Sequence, residues 1–239
     1  MKIESLILTI DNNFNFAIEL LKKNIDLTQD DSIINGYLQN ATIVSENYIY
    51  KNNEVIKLGA KLDSFHKRSQ YGFKVINTEY VLIMLDDFLI IKTANSSKIQ
   101  DIIKKISPSY IRLNNNPNNG KAIFGQEPFK ITLTSDRYQI NTQPSIWKTD
   151  TAKAIFDEEI TPWILETYYQ YKYSNILGTT LSVSQDIMTS IELIKKGKVK
   201  PICCRYFKIQ TLNLESIGIL AELRSFVKNR INKIYLKFR

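Results

Sequence analysis

The sequence predicts an α/β fold, a sheet sandwiched with helices, and two observations predict it. Residues 80–85 (YVLIML) are a continuous apolar run bounded by polar residues, as a strand buried on both faces requires. Strand-like and helix-like segments alternate around that run, the order expected of a layered α/β domain. A third observation sets the C-terminus apart. Residues 193–239 carry twelve Lys/Arg and two acids, whereas the first 192 residues carry 20 basic and 22 acidic side chains. The net +8 of the 239-residue chain therefore belongs to its tail, which predicts a near-neutral body, residues 1–200, and a basic helical extension, residues 201–239.

The elements follow in order. Residues 6–10 (LILTI) are apolar and largely β-branched and predict the first strand, which Asp11-Asn12-Asn13 breaks. Residues 15–24 predict a helix with Phe16, Ile18, Leu20 and Leu21 as its apolar positions. Residues 41–49 predict a second strand, ended by an Asn-rich turn at 51–53, and residues 64–77 a helix leading into the central strand. After Asp86-Asp87 and the apolar residues 88–91, residues 96–106 predict a helix carrying Ile99, Ile102, Ile103 and Ile106. Residues 109–113 predict a strand and the Asn-rich run 114–120 (NNNPNNG) a loop. Short strands are expected at 129–133 and 138–141, then helices at 149–156 and 163–173, the latter entered through Pro162.

Composition removes several classes. With 44% hydrophobic residues the chain can bury a core, which argues against disorder. The two Cys are adjacent, Cys203-Cys204, and give no disulfide framework. No apolar run approaches the roughly 20 residues needed to cross a bilayer, and residues 5–10 are too short for a secretory apolar core. The expectation is a cytoplasmic chain. The single histidine, His66, leaves almost no material for a His-based metal centre and is expected on a helix surface. G-x-S-x-G, P-loop and G-x-G-x-x-G patterns are absent, so serine hydrolase, P-loop and dinucleotide-binding readings lack their signatures.

Chemistry concentrates in two places. Asp86-Asp87 stand at the end of the buried strand, outside whose carboxyl end α/β sheets place their ligands. Adjacent carboxylates repel each other, and a hard divalent ion shared with substrate phosphates would offset that charge. Turn-forming aspartates are the alternative. Both tryptophans, Trp147 and Trp163, fall with several acids and amides in residues 135–166. An indole face beside carboxylates suits a sugar ring, the alternative being a pair of core anchors.

Taken in order, these segments resemble a family of bacterial glycosyltransferases of the GT-A fold, found among capsule and lipopolysaccharide O-antigen enzymes. The resemblance is carried by residues 7–11 (ILTID), Arg68, 79–88 (EYVLIMLDDF), 110–113 (YIRL), 141–150 (NTQPSIWKTD) and 159–166 (EITPWILE), and spans roughly residues 3–200. The adjacent Asp pair departs from the spaced Asp-x-Asp common in that fold. The resemblance implies a Rossmann-type mixed sheet flanked by helices and a nucleotide-sugar donor held by Thr9, Asp11, Arg68 and Asp86. It implies Mn2+ or Mg2+ at Asp87 or Asp86, opposing charge on the leaving diphosphate. An acceptor, a glycan or lipid-linked glycan, would meet Gln143, Trp147 and Trp163. Glu166, or else Glu159, would take the acceptor's proton if the displacement inverts.

In the tail, Leu223, Phe226, Val227, Ile231, Ile234 and Phe238 recur at helical spacing with Arg and Lys between them. Such a helix can lie in an anionic membrane interface, which predicts a peripheral location at the inner face of the cytoplasmic membrane. Two rival readings remain: a nucleotidyltransferase acting on a sugar phosphate, and a non-catalytic binding module with a basic tail. Nucleic acid is not the expected partner, because the body carries no basic face.

Overall fold

A computed structural model describes residues 1–133, 135–136, 138–157, 159, 161–167, 174–195 and 198–199. Packing divides the chain into Met1–Ile191 and Glu192–Arg239. In the second unit the described residues form a two-stranded hairpin, Ile194–Lys195 with Lys198–Val199. The expected boundary at 200 and the amphipathic tail lie outside the described residues.

The first unit begins with β1 (Ile3–Leu8), a 3-10 turn (Asp11–Asn13), α1 (Phe14–Leu27), α2 (Ser32–Gln39), β2 (Ala41–Val44), β3 (Tyr48–Lys51) and β4 (Glu54–Lys57). It continues with α3 (Phe65–Val75), β5 (Tyr80–Leu85), β6 (Phe88–Thr93), α4 (Ser97–Ile106), β7 (Tyr110–Arg112), β8 (Lys121–Ala122) and β9 (Phe129–Ile131). Then come β10 (Ser145–Lys148), α5 (Thr149–Phe156), α6 (Pro162–Thr167), α7 (Ser174–Leu177), β11 (Thr180–Val183) and β12 (Met188–Glu192).

Ten strands form one sheet in the order β4-β3-β2-β1-β5-β10-β7-β11-β9-β8, and β6 pairs separately with β12. β1 is parallel to β2 and β5, β7 is parallel to β11, and β10 runs against both β5 and β7. The carboxyl ends of β1, β2, β5, β7 and β11 therefore share one edge, and β10 starts there.

Alternation across the pleat builds two cores. Ile3, Ile7, Leu82 and Met84 cluster with Leu21 of α1, Leu38 of α2 and Ile102 of α4. Leu6, Leu8, Val81 and Ile83 cluster with Phe73 of α3 and Ile155 and Phe156 of α5. Both faces of β5 are covered, as its unbroken apolar run requires. A one-residue slip would send each set into the wrong layer, so burial fixes the register Leu6↔Ile83. α3 lies close to the sheet at Gly72, where a Cβ would come within 2.6 Å of Leu6 Cδ1.

The structure corrects the expected elements in two places. Residues 41–49 are not one strand: the chain reverses after Val44, where Ser45 Oγ accepts the Tyr48 N–H at 3.1 Å. Residues 138–141 are not a strand either. Tyr138 has φ 55°, and the Asn141 N–H donates to the Tyr110 hydroxyl at 3.2 Å instead of to a neighbouring strand. α2, capped by the Asp31 carboxylate, and the short strands β10 and β11 were not expected from the sequence.

Candidate active site

Leu8 and Leu85 are in register at the ends of β1 and β5, so the next residues, Thr9 and Asp86, leave the sheet side by side. Thr9 Oγ1 donates to Asp86 Oδ2 at 2.6 Å, and Asn13 Nδ2 donates to the same oxygen at 3.0 Å. Asp86 and Asp87 fill the two-residue connection from β5 to β6. Burial pushes the Asp86 carboxyl above the usual carboxylate range, against the hydrogen bonds from Thr9 and Asn13 and the charge of Arg68.

Beside it, the β1 end is laced to the β2–β3 turn. The Asp11 N–H donates to Glu46 Oε2 at 2.7 Å, and the Asn47 N–H donates to Asp11 Oδ1 at 3.0 Å. The Asn47 amide also donates to Asp11 Oδ2. Burial raises the Asp11 pKa, but donation from Asn47, Ser45 and the Glu46 backbone outweighs it and leaves the carboxyl below its usual value.

Arg68 enters from α3, whose first turn Ser64 caps by accepting the Lys67 N–H. Its side chain is buried, 8% exposed, and Nη1 lies 3.8 Å from Glu46 Oε1 while donating to the Leu62 carbonyl at 3.3 Å. The Arg68 Nε is buried with no hydrogen-bond partner among the described residues. Burial lowers its pKa, and the charges of Glu46, Asp86, Asp11 and Asp63 oppose that shift. Among the described residues Arg68 thus lies against the carboxylates of Glu46, Asp86 and Asp11.

The other half of the edge is built on β7 and the start of β10. The Tyr110 hydroxyl donates to Asn141 Oδ1 at 3.0 Å, and Asn141 Nδ2 donates to Gln143 Oε1 at 3.4 Å. Burial pushes the Tyr110 phenol up to about 12, against the charge of Arg112 and hydrogen bonding from Asn141 and Ser145. Glu166 Oε1 accepts both the Thr142 N–H at 2.8 Å and its hydroxyl at 2.7 Å, which ties α6 to the residues entering β10. Arg112, fully buried, donates to the carbonyls of Tyr138 at 3.0 Å and Pro117 at 2.6 Å and to the Asn119 side chain.

No family model matches the chain, and no curated protein matches it. Solved structures do. S. aureus TarS in complex with UDP-GlcNAc superposes with a TM-score of 0.52 at 15% identity, covering 83% of this chain and 60% of that one. The fold is GT-A-like. TarS in complex with UDP gives 0.49 at 14% identity over 79% of this chain and 59% of that one. A UDP-glucose pyrophosphorylase complexed with UDP-glucose gives 0.45 at 9% identity over 80% and 93%. The chain spans about three-fifths of the first TarS structure's length. The likeness to the first TarS structure shows the fold alone; it does not reach the capsule and O-antigen family.

The structure brings Thr9, Asp11, Arg68 and Asp86 together at this edge. The expected acceptor contacts fare differently. Trp147 is 1% exposed, packed edge-on against Tyr110 at 4.7 Å and Phe156 at 5.7 Å, with Nε1 donating to Ser145 Oγ at 2.9 Å. No indole face is open to a sugar, and Trp147 is a core anchor. The Trp163 side chain lies outside the described residues. Gln143 is part-buried at the edge, and Glu159 is exposed. His66 accepts a structural role, its Nδ1 lying 3.0 Å from the Phe156 carbonyl.

Sequence reasoning missed Asn13, Glu46, Asn47 and Arg112. Asn recurs so often in this chain that Asn13 and Asn47 carry no local signal. Glu46 falls inside the strand expected at 41–49 and Arg112 inside that expected at 109–113, so neither stood out as a charge at a strand end.

Among the described residues no three His, Cys, Asp or Glu side chains are grouped to hold a metal ion. The donor set fits the other arrangement for a hard cation: one or two carboxylates, with substrate phosphates completing the shell.

Proposed function

We propose that the chain is a glycosyltransferase taking its sugar from a nucleoside diphosphate donor. The observation that supports this most is the convergence of Thr9, Asp11, Glu46, Arg68 and Asp86 at the carboxyl ends of β1, β2 and β5 in a GT-A-like sheet. The donor's nucleoside would lie along Asp11 and the β2–β3 turn, and Arg68, whose Nε has no partner among the described residues, would face the diphosphate. A divalent cation, Mn2+ or Mg2+, would be held by the Asp86-Asp87 turn and would supply Lewis-acid stabilisation of the leaving diphosphate. Glu166 is the proposed general base, because its bonds to Thr142 hold it beside β10, whose Ser145 pairs with Ile83 of β5. Gln143, from the same segment, would bind the acceptor hydroxyls of a surface glycan.

The experiment is a thermal-shift titration with nucleoside diphosphates and nucleotide sugars, with and without Mn2+, followed by assay of the released product. Ligand binding to the folded state raises its melting temperature by mass action. A metal-dependent shift with release of a nucleoside diphosphate supports the reading. Release of pyrophosphate from a nucleoside triphosphate assigns the site to a nucleotidyltransferase instead.

A further inference from the structure

We infer that the β8–β9 turn is a lipid-contacting tip, in which the Phe124 ring enters the surface of an anionic membrane while Lys98, Lys121 and Lys130 engage its headgroups. Binding to a membrane needs no nucleotide, so the inference stands apart from the donor-site reading.

The tip is stiffly built. The Gln126 N–H donates to the Ile123 carbonyl at 3.0 Å, and Gly125 supplies φ 68° at the third position, as a type II turn asks of glycine. The Phe129 N–H donates to the Gln126 carbonyl at 2.9 Å, and the Pro128 carbonyl accepts the Ser184 N–H at 2.8 Å. Ile123 packs inward, against the core that holds Phe129. Phe124 takes the remaining corner of the turn and is 101% exposed, so its ring rests on almost nothing of its own chain. A single exposed apolar residue is ordinary on a protein surface; a phenyl ring held clear of it by a braced turn is not. The shape and the charge of the tip say what it meets. Small-molecule sites are concave and enclose what they bind, whereas a protruding ring suits a soft surface that deforms around it. Its rim is basic. Lys121 stands three residues before Phe124, Lys130 pairs with the neighbouring Lys121–Ala122 strand opposite Ala122, and Lys98 Nζ donates to the Glu127 carbonyl at 2.7 Å. These three cations outnumber Glu127, the acid of the turn. An anionic leaflet attracts lysines near its surface and removes an apolar ring from water in the same event. β9 begins where β11 ends, with Phe129 opposite Val183, so the tip lies at the sheet edge that carries Thr9 and Asp86. A membrane that receives Phe124 therefore faces that edge, which suits an acceptor held in a lipid leaflet.

The test is partition of the full chain onto vesicles containing phosphatidylglycerol, read by co-sedimentation without nucleotide, for wild type, Phe124→Ser and Lys121→Gln. Both side chains are exposed, so the melting temperatures of the variants are expected to match wild type. Phe124→Ser is expected to bind about tenfold more weakly, the effect of a ring that leaves water only in the bound state. Lys121→Gln is expected to bind about fivefold more weakly, the effect of one lysine near an anionic surface. A second readout locates the contact. A Phe124→Cys chain in a Cys203→Ser/Cys204→Ser background, labelled with an environment-sensitive dye, is expected to shift its emission to the blue on the same vesicles. Phe124→Ser binding like wild type overturns the inference. So does an unshifted dye on a chain that has sedimented, which assigns the contact to the basic residues 193–239 instead. A wild-type chain that sediments with no vesicle also overturns it and leaves the tip to a protein partner.

Discussion

A buried guanidinium answered by carbonyls instead of a carboxylate is an uncommon solution, and Arg112 adopts it. It binds Tyr138, Pro117 and Asn119, and so braces two loops against the end of β7. Arg112→Met would strand those acceptors, at about 1–3 kcal/mol for an unsatisfied buried group. The expected outcome is a drop of about 3 kcal/mol in unfolding free energy and faster proteolytic cleavage within 114–120. A Met variant as resistant as wild type would remove the bracing role. Asp11 gives a pH signature. Its folded pKa lies below the unfolded 3.8, so its contribution to stability is present above about 3.8 and fades as pH falls through the folded value. Asp11→Asn should therefore melt below wild type at pH 7, and the gap should close on acidification below 3.8. A gap constant with pH would mean that the Asn47 contacts do not depend on charge. At this scale the sequence was partly legible. Asp11 and the aspartate pair stood out as charges at strand ends and Arg68, on a helix, entered only through the family resemblance, whereas Trp147 misled because an aromatic type says nothing about which way it faces.

At the scale of the element, Gly72 decides how closely α3 approaches β1. A side chain there would meet the fully buried Leu6, with its Cβ 2.6 Å from Cδ1. Gly72→Val is expected to cost about 1–3 kcal/mol, the usual penalty of overpacking, read as a lower denaturation midpoint at unchanged slope. Because Arg68 stands one turn before Gly72 on the same helix face, the same variant should also weaken the nucleotide-dependent thermal shift. A variant that is less stable but binds unaltered would uncouple helix packing from the site. Elements with a strong pattern, the unbroken apolar run of β5 and the helical spacing of α4, were visible in the sequence. α2 was hidden because it is only eight residues long, Asn35-Gly36 interrupts its apolar positions, and its start depends on a single capping Asp31. β10 and β11 were hidden because four-residue strands carry too short a pattern and owe their existence to neighbours far away in the chain.

For the whole molecule, the layered order was legible from the alternation of segments around one buried strand. The position of β10 between β5 and β7 was not, since strand order is set by long-range packing and no local pattern encodes it. The charge division between body and tail leads to a prediction of its own. If the basic tail seeks an anionic surface, the full chain should co-sediment with vesicles containing phosphatidylglycerol and release as salt rises. Equal recovery with neutral phosphatidylcholine vesicles, or none with either, would count against the tail as an anchor.

The antiparallel strand also has a consequence for the order of events during synthesis. β5, apolar on both faces, has one flank covered by β1 early, but its other flank waits for Ser145–Lys148, which emerge only after α4, β7 and the loops between them. A nascent or truncated chain ending near residue 143 would carry an open, strongly apolar strand edge, the kind that pairs with any other chain it meets. The β1–β5 half is thus complete in sequence long before it is protected in space. Keeping it soluble in that interval falls to whatever shields the emerging chain.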